Sequence, residues 1–251
     1  MERVLETNNL CLGYNKDIYR EISAFASRGE IIAVVGPNGI GKSTLLKSLS
    51  GIQSFRSGEI LVDGKQISSY SHSRLAEKIS FVPSQSPRAR NLSLFDMVAT
   101  GCYNRTNWLG QVGPQEREFV IGTLERVGLS GFENRDSSRL SDGEFQRATI
   151  ARALVQESKI IFLDEPTAFL DIENKLTITK LLSDIAHEES RSVIFSTHDL
   201  QLAIRHCDRI WIMGRESFSH GTPEELIEKG AFDTMFKDSP LKFDRNLYTF
   251  V

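Results

Sequence analysis

Ile31-Ile32-Ala33-Val34-Val35-Gly36-Pro37-Asn38-Gly39-Ile40-Gly41-Lys42-Ser43 is the stretch that decides the fold. An apolar run feeds Gly36 to Ser43, which fits GxxxxGK[ST], and a helical pattern continues through Lys47 and Leu49. Strand, glycine-rich turn and helix start are the context this motif needs. Glycines let backbone N–H groups converge on phosphate oxygens, and the helix N-terminus adds partial positive charge. Lys42 is placed to neutralise the β- and γ-phosphates, and Ser43 to ligate Mg²⁺. The expected nucleotide contacts are Gly36, Pro37, Asn38, Gly39, Ile40, Gly41, Lys42, Ser43 and Thr44.

Further along the chain, Ile160-Ile161-Phe162-Leu163 reads as a buried strand that ends in Asp164-Glu165. A buried strand has no structural use for two acids at its tip. Asp164 is therefore assigned to Mg²⁺, and Glu165 to polarising a water beside the γ-phosphate. Val193-Ile194-Phe195 is a third buried strand, and Ile178, Leu181, Leu182 and Ile185 form a helical core stripe before it.

Short β-branched runs alternating with amphipathic stretches imply an α/β fold with a mostly parallel sheet. Residues 1 to about 30 read differently, as strands over Thr7 to Tyr14 and Ile18 to Phe25 joined by a turn at Asn15-Lys16. With Gly58 to Gly64 they predict an antiparallel β layer beside the parallel core. From about 86 to 158 the helical period dominates, over Leu94 to Gly101, Pro114 to Gly128 and Asp142 to Gln156. That block is expected to be a helical subdomain inserted into one domain spanning 1–251, with a C-terminal tail from about 231 to 251.

Composition narrows the function classes. The chain has 251 residues, 40% apolar and 25% charged, which is ordinary globular usage. Lys+Arg 30 against Asp+Glu 33 gives a net charge of -3, so no basic excess points to nucleic acid. Cys11, Cys102 and Cys207 are scattered and read as reduced structural thiols. No apolar run is long enough to span a bilayer, and the first residues lack a signal peptide's apolar stretch. A cytoplasmic location is expected, and any membrane role then requires a separate spanning partner.

With these motifs in order, the chain resembles the P-loop ATPases of the ABC type over nearly its whole length. Leu140-Ser141-Asp142-Gly143-Glu144 stands where that family carries its LSGGQ signature. The resemblance implies that Tyr14 stacks on adenine, that Gln85 contacts Mg²⁺ and water, and that His198 contacts the γ-phosphate. Leu170-Asp171 matches the end of the D-loop, although Ala168-Phe169 before it is bulkier than the usual small pair. It further implies a head-to-tail homodimer in which Ser141 and Gly143 of one chain face the ATP of the other. Glu165, His198 and Gln85 are then the catalytic set, and Ser43, Gln85 and Asp164 the metal set.

The signature departs from the family at two positions. Ser141-x-x-Glu144 is a capping box, so Glu144 keeps the helix start intact. Asp142 is sharper, because a carboxylate there favours the helix but repels a γ-phosphate. The expectation is that Asp142 points away from the nucleotide.

Leu92 to Gly101 followed by Trp108-Leu109-Gly110 is similar to the ATPases of iron-siderophore, haem and vitamin B12 importers, although Cys102-Tyr103-Asn104-Arg105 replaces the usual basic stretch. That resemblance implies transmembrane permease subunits, a substrate-binding protein as an indirect partner, and a peripheral position on the cytoplasmic face of the cell membrane. Arg88, Arg90, Phe95 and Trp108 are candidate permease contacts. The alternative is a soluble ABC ATPase that acts in a protein assembly, such as metal-cluster assembly, without a permease.

Overall fold

Which face each strand buries sets the architecture. The computed structural model describes residues 2–13, 16–105, 112–215, 217–236, 243–245 and 247–250. In chain order these form β1 (Arg3–Gly13), β2 (Asp17–Ser27), β3 (Ile31–Val35), α1 (Lys42–Leu49), β4 (Ser57–Val62), β5 (Lys65–Gln66), α2 (His72–Ala76) and β6 (Ile79–Val82). The inserted region carries α3 (Leu94–Ala99), α4 (Pro114–Arg126) and α5 (Asp142–Leu154). The chain then returns through β7 (Ile160–Leu163), α6 (Ile172–Glu189), β8 (Ser192–Ser196), α7 (Leu200–His206), β9 (Arg209–Met213), β10 (Phe218–Gly221) and α8 (Pro223–Glu228). A short hairpin of β11 (Phe243–Asp244) and β12 (Thr249–Phe250) ends it.

Six strands in the order β10-β9-β3-β8-β7-β6 make the central sheet, parallel except between β9 and β10. Both faces of its centre are covered, so β3 and β7 are apolar and buried throughout instead of alternating with polar residues. Ile31, Ala33 and Val35 of β3 face the helices, whereas Ile32 and Val34 face α1 and the second sheet. The same division sends Ile161 and Leu163 of β7 one way and Ile160 and Phe162 the other. The second sheet, β2-β1-β4-β5, is antiparallel, as the N-terminal strand pattern predicts.

The insert is helical as expected. α3, α4 and α5 pack on one another through Leu94, Val98, Val120, Leu124 and Phe145. α3 stops at Ala99, short of Gly101, and the chain tightens into a 3₁₀ turn there. A Cβ on Gly101 would meet the Arg152 carbonyl oxygen at 2.2 Å, so the turn passes close against α5. The three cysteines are buried and free.

The described part of the C-terminal tail packs on the core. Phe243 stacks on Phe232 with ring centroids 4.7 Å apart, and Gln201 Nε2 donates to the Leu247 carbonyl at 2.8 Å. Among the described residues no helix is long and apolar enough to cross a membrane.

Candidate nucleotide site

At the C-terminal end of β3 the chain turns through Gly36 to Gly41 and enters α1. Gly41 caps that helix at φ 114, a left-handed conformation that side-chain-bearing residues rarely adopt. A Cβ there would also lie 2.9 Å from Ile18 Cγ2. Lys42 is 5% exposed, and its Nζ donates to the carbonyls of Gly36 at 2.9 Å and Pro37 at 3.1 Å. Burial pushes the Lys42 ammonium below its ordinary pKa, and the Glu165 and Asp164 carboxylates pull it back up. A cation held in that balance fits an arriving polyanion.

The acids stand where β7 ends. Asp164 is 3% exposed and accepts hydrogen bonds from Ser43 Oγ at 2.9 Å and Ser196 Oγ at 2.8 Å. Glu165 sits at φ 51, and its backbone N–H donates to Ser196 Oγ at 2.8 Å. His198, two residues beyond β8, brings Nε2 to 2.6 Å from Glu165 Oε1. Gln85 is exposed on the loop after β6. Because Val82 of β6 pairs in parallel with Leu163 of β7, that loop leaves the sheet at the same end as Asp164. Ligands in open parallel sheets bind at this end of the strands.

The Ser43 hydroxyl and the buried Asp164 carboxylate, already in contact, form a hard oxygen pair of the kind Mg²⁺ accepts alongside phosphate oxygens.

Ser196 belongs to this site but carries no motif that sequence reasoning could use. Its hydroxyl spans Asp164 and the strained Glu165 backbone. Ser196→Ala leaves both short of a partner and is expected to destabilise the fold by about 1–3 kcal/mol, measured by urea unfolding.

The signature residues open α5. Ser141 Oγ accepts from Glu144 N–H at 3.3 Å while Glu144 Oε2 accepts from Ser141 N–H at 2.8 Å, so the capping box is closed in both directions. The bond from the Ser141 backbone holds the Glu144 carboxyl below its usual pKa. Gly143 has a steric reason as well, because a Cβ there would meet Asn174 Oδ1 at 2.4 Å. Asn174 is fixed near the start of α6 by bonds to Asp171 and Arg147. Asp142 is paired with Arg88, whose Nη2 donates to Oδ1 at 2.5 Å.

Two recesses flank the phosphate loop. One of about 370 Å³ is bounded by Ile18, Tyr19, Ile40 and Arg215. It adds apolar wall residues that the sequence reading left out. Tyr14, the expected adenine platform, lies outside the described residues, as does Trp108. The other, about 660 Å³, runs from Gly36, Pro37 and Asn38 past Thr197 and His198 to Phe250 of the tail.

This geometry agrees with what known proteins share with the chain. The ABC transporter family model matches residues 19–168. The chain belongs to the ABC transporter family. It is an ATP-binding, ATP-hydrolysing subunit of that family, with the family's α/β ATPase fold. A petrobactin import ATP-binding protein of Bacillus anthracis is 35% identical over 94% of this chain and 88% of its own length. A siderophore transport system ATP-binding protein of Bacillus subtilis is 35% identical over 89% of this chain and 82% of its own. Among solved structures, a metal-chelate type ABC transporter in an inward-facing conformation superposes at a TM-score of 0.82 with 28% identity, covering 94% of this chain and 89% of that one. A dimeric ATP-binding cassette in a post-hydrolysis state with ADP and phosphate gives 0.71 at 26% identity, over 83% of this chain and 93% of that one.

Proposed function

We propose that this ABC ATPase powers an importer of an iron-siderophore, haem or cobalamin-type compound. It works as a head-to-tail homodimer seated on transmembrane permease subunits, with a substrate-binding protein as indirect partner, at the cytoplasmic face of the cell membrane. The observation that carries the substrate class is the 35% identity, over nearly the full chain, to the petrobactin import subunit. The metal-chelate transporter's TM-score of 0.82 supports the same class.

The proposed chemistry follows from positioning. Lys42 and the N-terminus of α1 hold the triphosphate. Ser43, Asp164 and Gln85 would hold Mg²⁺, which supplies charge neutralisation at the phosphates. Glu165 accepts a proton from the attacking water, and the His198 contact at 2.6 Å orients its carboxylate. Hydrolysis waits for the partner's Ser141 and Gly143 to reach the γ-phosphate, so ATP binding closes the dimer and product release reopens it.

A surface beside the site supports the dimer. Phe169 is 93% exposed at φ 62, and Ile172 and Leu176 follow on the first turns of α6 at 78% and 53%. An apolar stripe of this kind next to a catalytic carboxylate fits a face covered on closure.

For the permease, the candidate contacts divide. Arg90 is exposed, whereas Phe95 is half-buried under the Arg117 guanidinium and Arg88 is engaged by Asp142. Arg90 is thus the better-placed contact of the three.

The test is uptake. Cells lacking the gene are expected to lose import of radiolabelled ferric siderophore, with recovery by the wild-type chain and none by Glu165→Gln. Unchanged uptake of ferric siderophore, haem and cobalamin in the deletion strain would remove the importer reading. Recovery of the chain in a soluble assembly without a permease would point to the alternative.

A further inference from the structure

Asp142 puts a full negative charge at the first turn of α5, where the helix end itself supplies only about half a positive charge. Left alone, that carboxylate reverses the sign of the helix start. A start of that sign repels the phosphate that the proposed dimer delivers to it. Among the described residues, Arg88 is the cation paired with it.

Arg88 reaches α5 from the loop after β6, three residues beyond Gln85. Its guanidinium makes three contacts at once: Nη2 donates to Asp142 Oδ1 at 2.5 Å, Nη1 donates to the Leu140 carbonyl at 2.5 Å, and Cζ lies 4.6 Å from the Phe145 ring centroid. This is a seat for a planar, permanently charged group; an ammonium could meet the charge but not all three contacts. The Asp142 side chain is 76% exposed and that of Arg88 31%. Ion pairs so placed add little to folding stability. Their effect on the potential around a helix end does not depend on that stability.

We propose that Arg88 is a positioning residue of the signature: it neutralises Asp142 and turns its carboxylate aside, so that Ser141 and Gly143 can receive the partner's γ-phosphate. Asp142 and Arg88 then form one unit that replaces the missing glycine of the family pattern. The proposal rests on the dimer reading above.

A double-mutant cycle tests it on the full-length chain, with steady-state ATP hydrolysis followed as KM and kcat and thermal midpoints recorded for each variant. Arg88→Ala is expected to raise the ATP KM roughly tenfold or more when Asp142 is present, and by less than about twofold in the Asp142→Gly background, because coupled residues depart from additivity. Arg88→Lys is expected to recover only part of the loss, since it keeps the charge but cannot make all three contacts. An equal loss in both backgrounds would overturn the proposal and give Arg88 a direct role in the fold or on the nucleotide. No loss in either background would overturn it as well. The dimer reading has its own control: Glu165→Gln that stays monomeric in saturating ATP removes that reading, whatever the cycle gives.

Discussion

Glu165→Gln is expected to bind ATP, accumulate as a nucleotide-bound dimer and lose turnover by roughly 10²-fold or more. The substitution is nearly isosteric and leaves the backbone contact from Glu165 N–H to Ser196 Oγ in place. The φ of 51 at this residue is an uncommon state for a side-chain-bearing residue, and that hydroxyl together with the end of β7 holds it there. What changes is the side chain: a carboxamide cannot take a proton from water, while it can still face His198 Nε2. Binding and chemistry should therefore separate. Equilibrium nucleotide binding, light scattering in ATP and phosphate release are the three measurements. Turnover within a few-fold of wild type would take Glu165 out of the proposed role, and loss of ATP binding would mean that the substitution had damaged the site itself.

Much of this site is legible in the sequence because its information is local. The phosphate loop is a contiguous motif, and the Ser141–Glu144 capping box spans one turn. The paired faces of β3 and β7 follow from unbroken apolar runs, since a strand buried on both sides needs no alternation. The illegible parts join residues far apart in the chain. Ser196 meets Asp164 and Glu165 from the neighbouring strand, and Arg88 meets Asp142 from another loop. Neither pairing has a period or spacing that a sequence displays. From sequence Arg88 reads as a candidate permease contact for the same reason: an arginine's partners are set by the fold. β9 carries the same local signal, because Ile210, Trp211, Ile212 and Met213 form a fully buried run that extends the parallel sheet beside β3.

Lys42→Met should separate the needs of binding from those of folding. The packing of the site gives the lysine no role of its own: burial alone lowers its pKa, so the folded protein bears an ammonium in a place that disfavours charge. Its compensation comes from the carbonyls of Gly36 and Pro37 and from the more distant Asp164 and Glu165. Methionine is of similar length and carries no charge to desolvate. Removing a buried charge in favour of an apolar side chain of similar volume is often neutral or stabilising. Without nucleotide, the thermal midpoint of Lys42→Met is therefore expected to equal or exceed that of wild type. ATP affinity should move the other way, by roughly 10- to 10²-fold, the worth of a charge-assisted bond to phosphate. The sign of the pH dependence follows. Because the folded pKa lies below the unfolded one, wild-type stability gains as pH rises from the folded value toward the unfolded one, and Lys42→Met lacks that gain. Differential scanning calorimetry across alkaline pH, with and without ATP, reads both effects. A Lys42→Met protein that is much less stable than wild type when empty, yet binds ATP as tightly, would reverse the assignment and make Lys42 a structural residue.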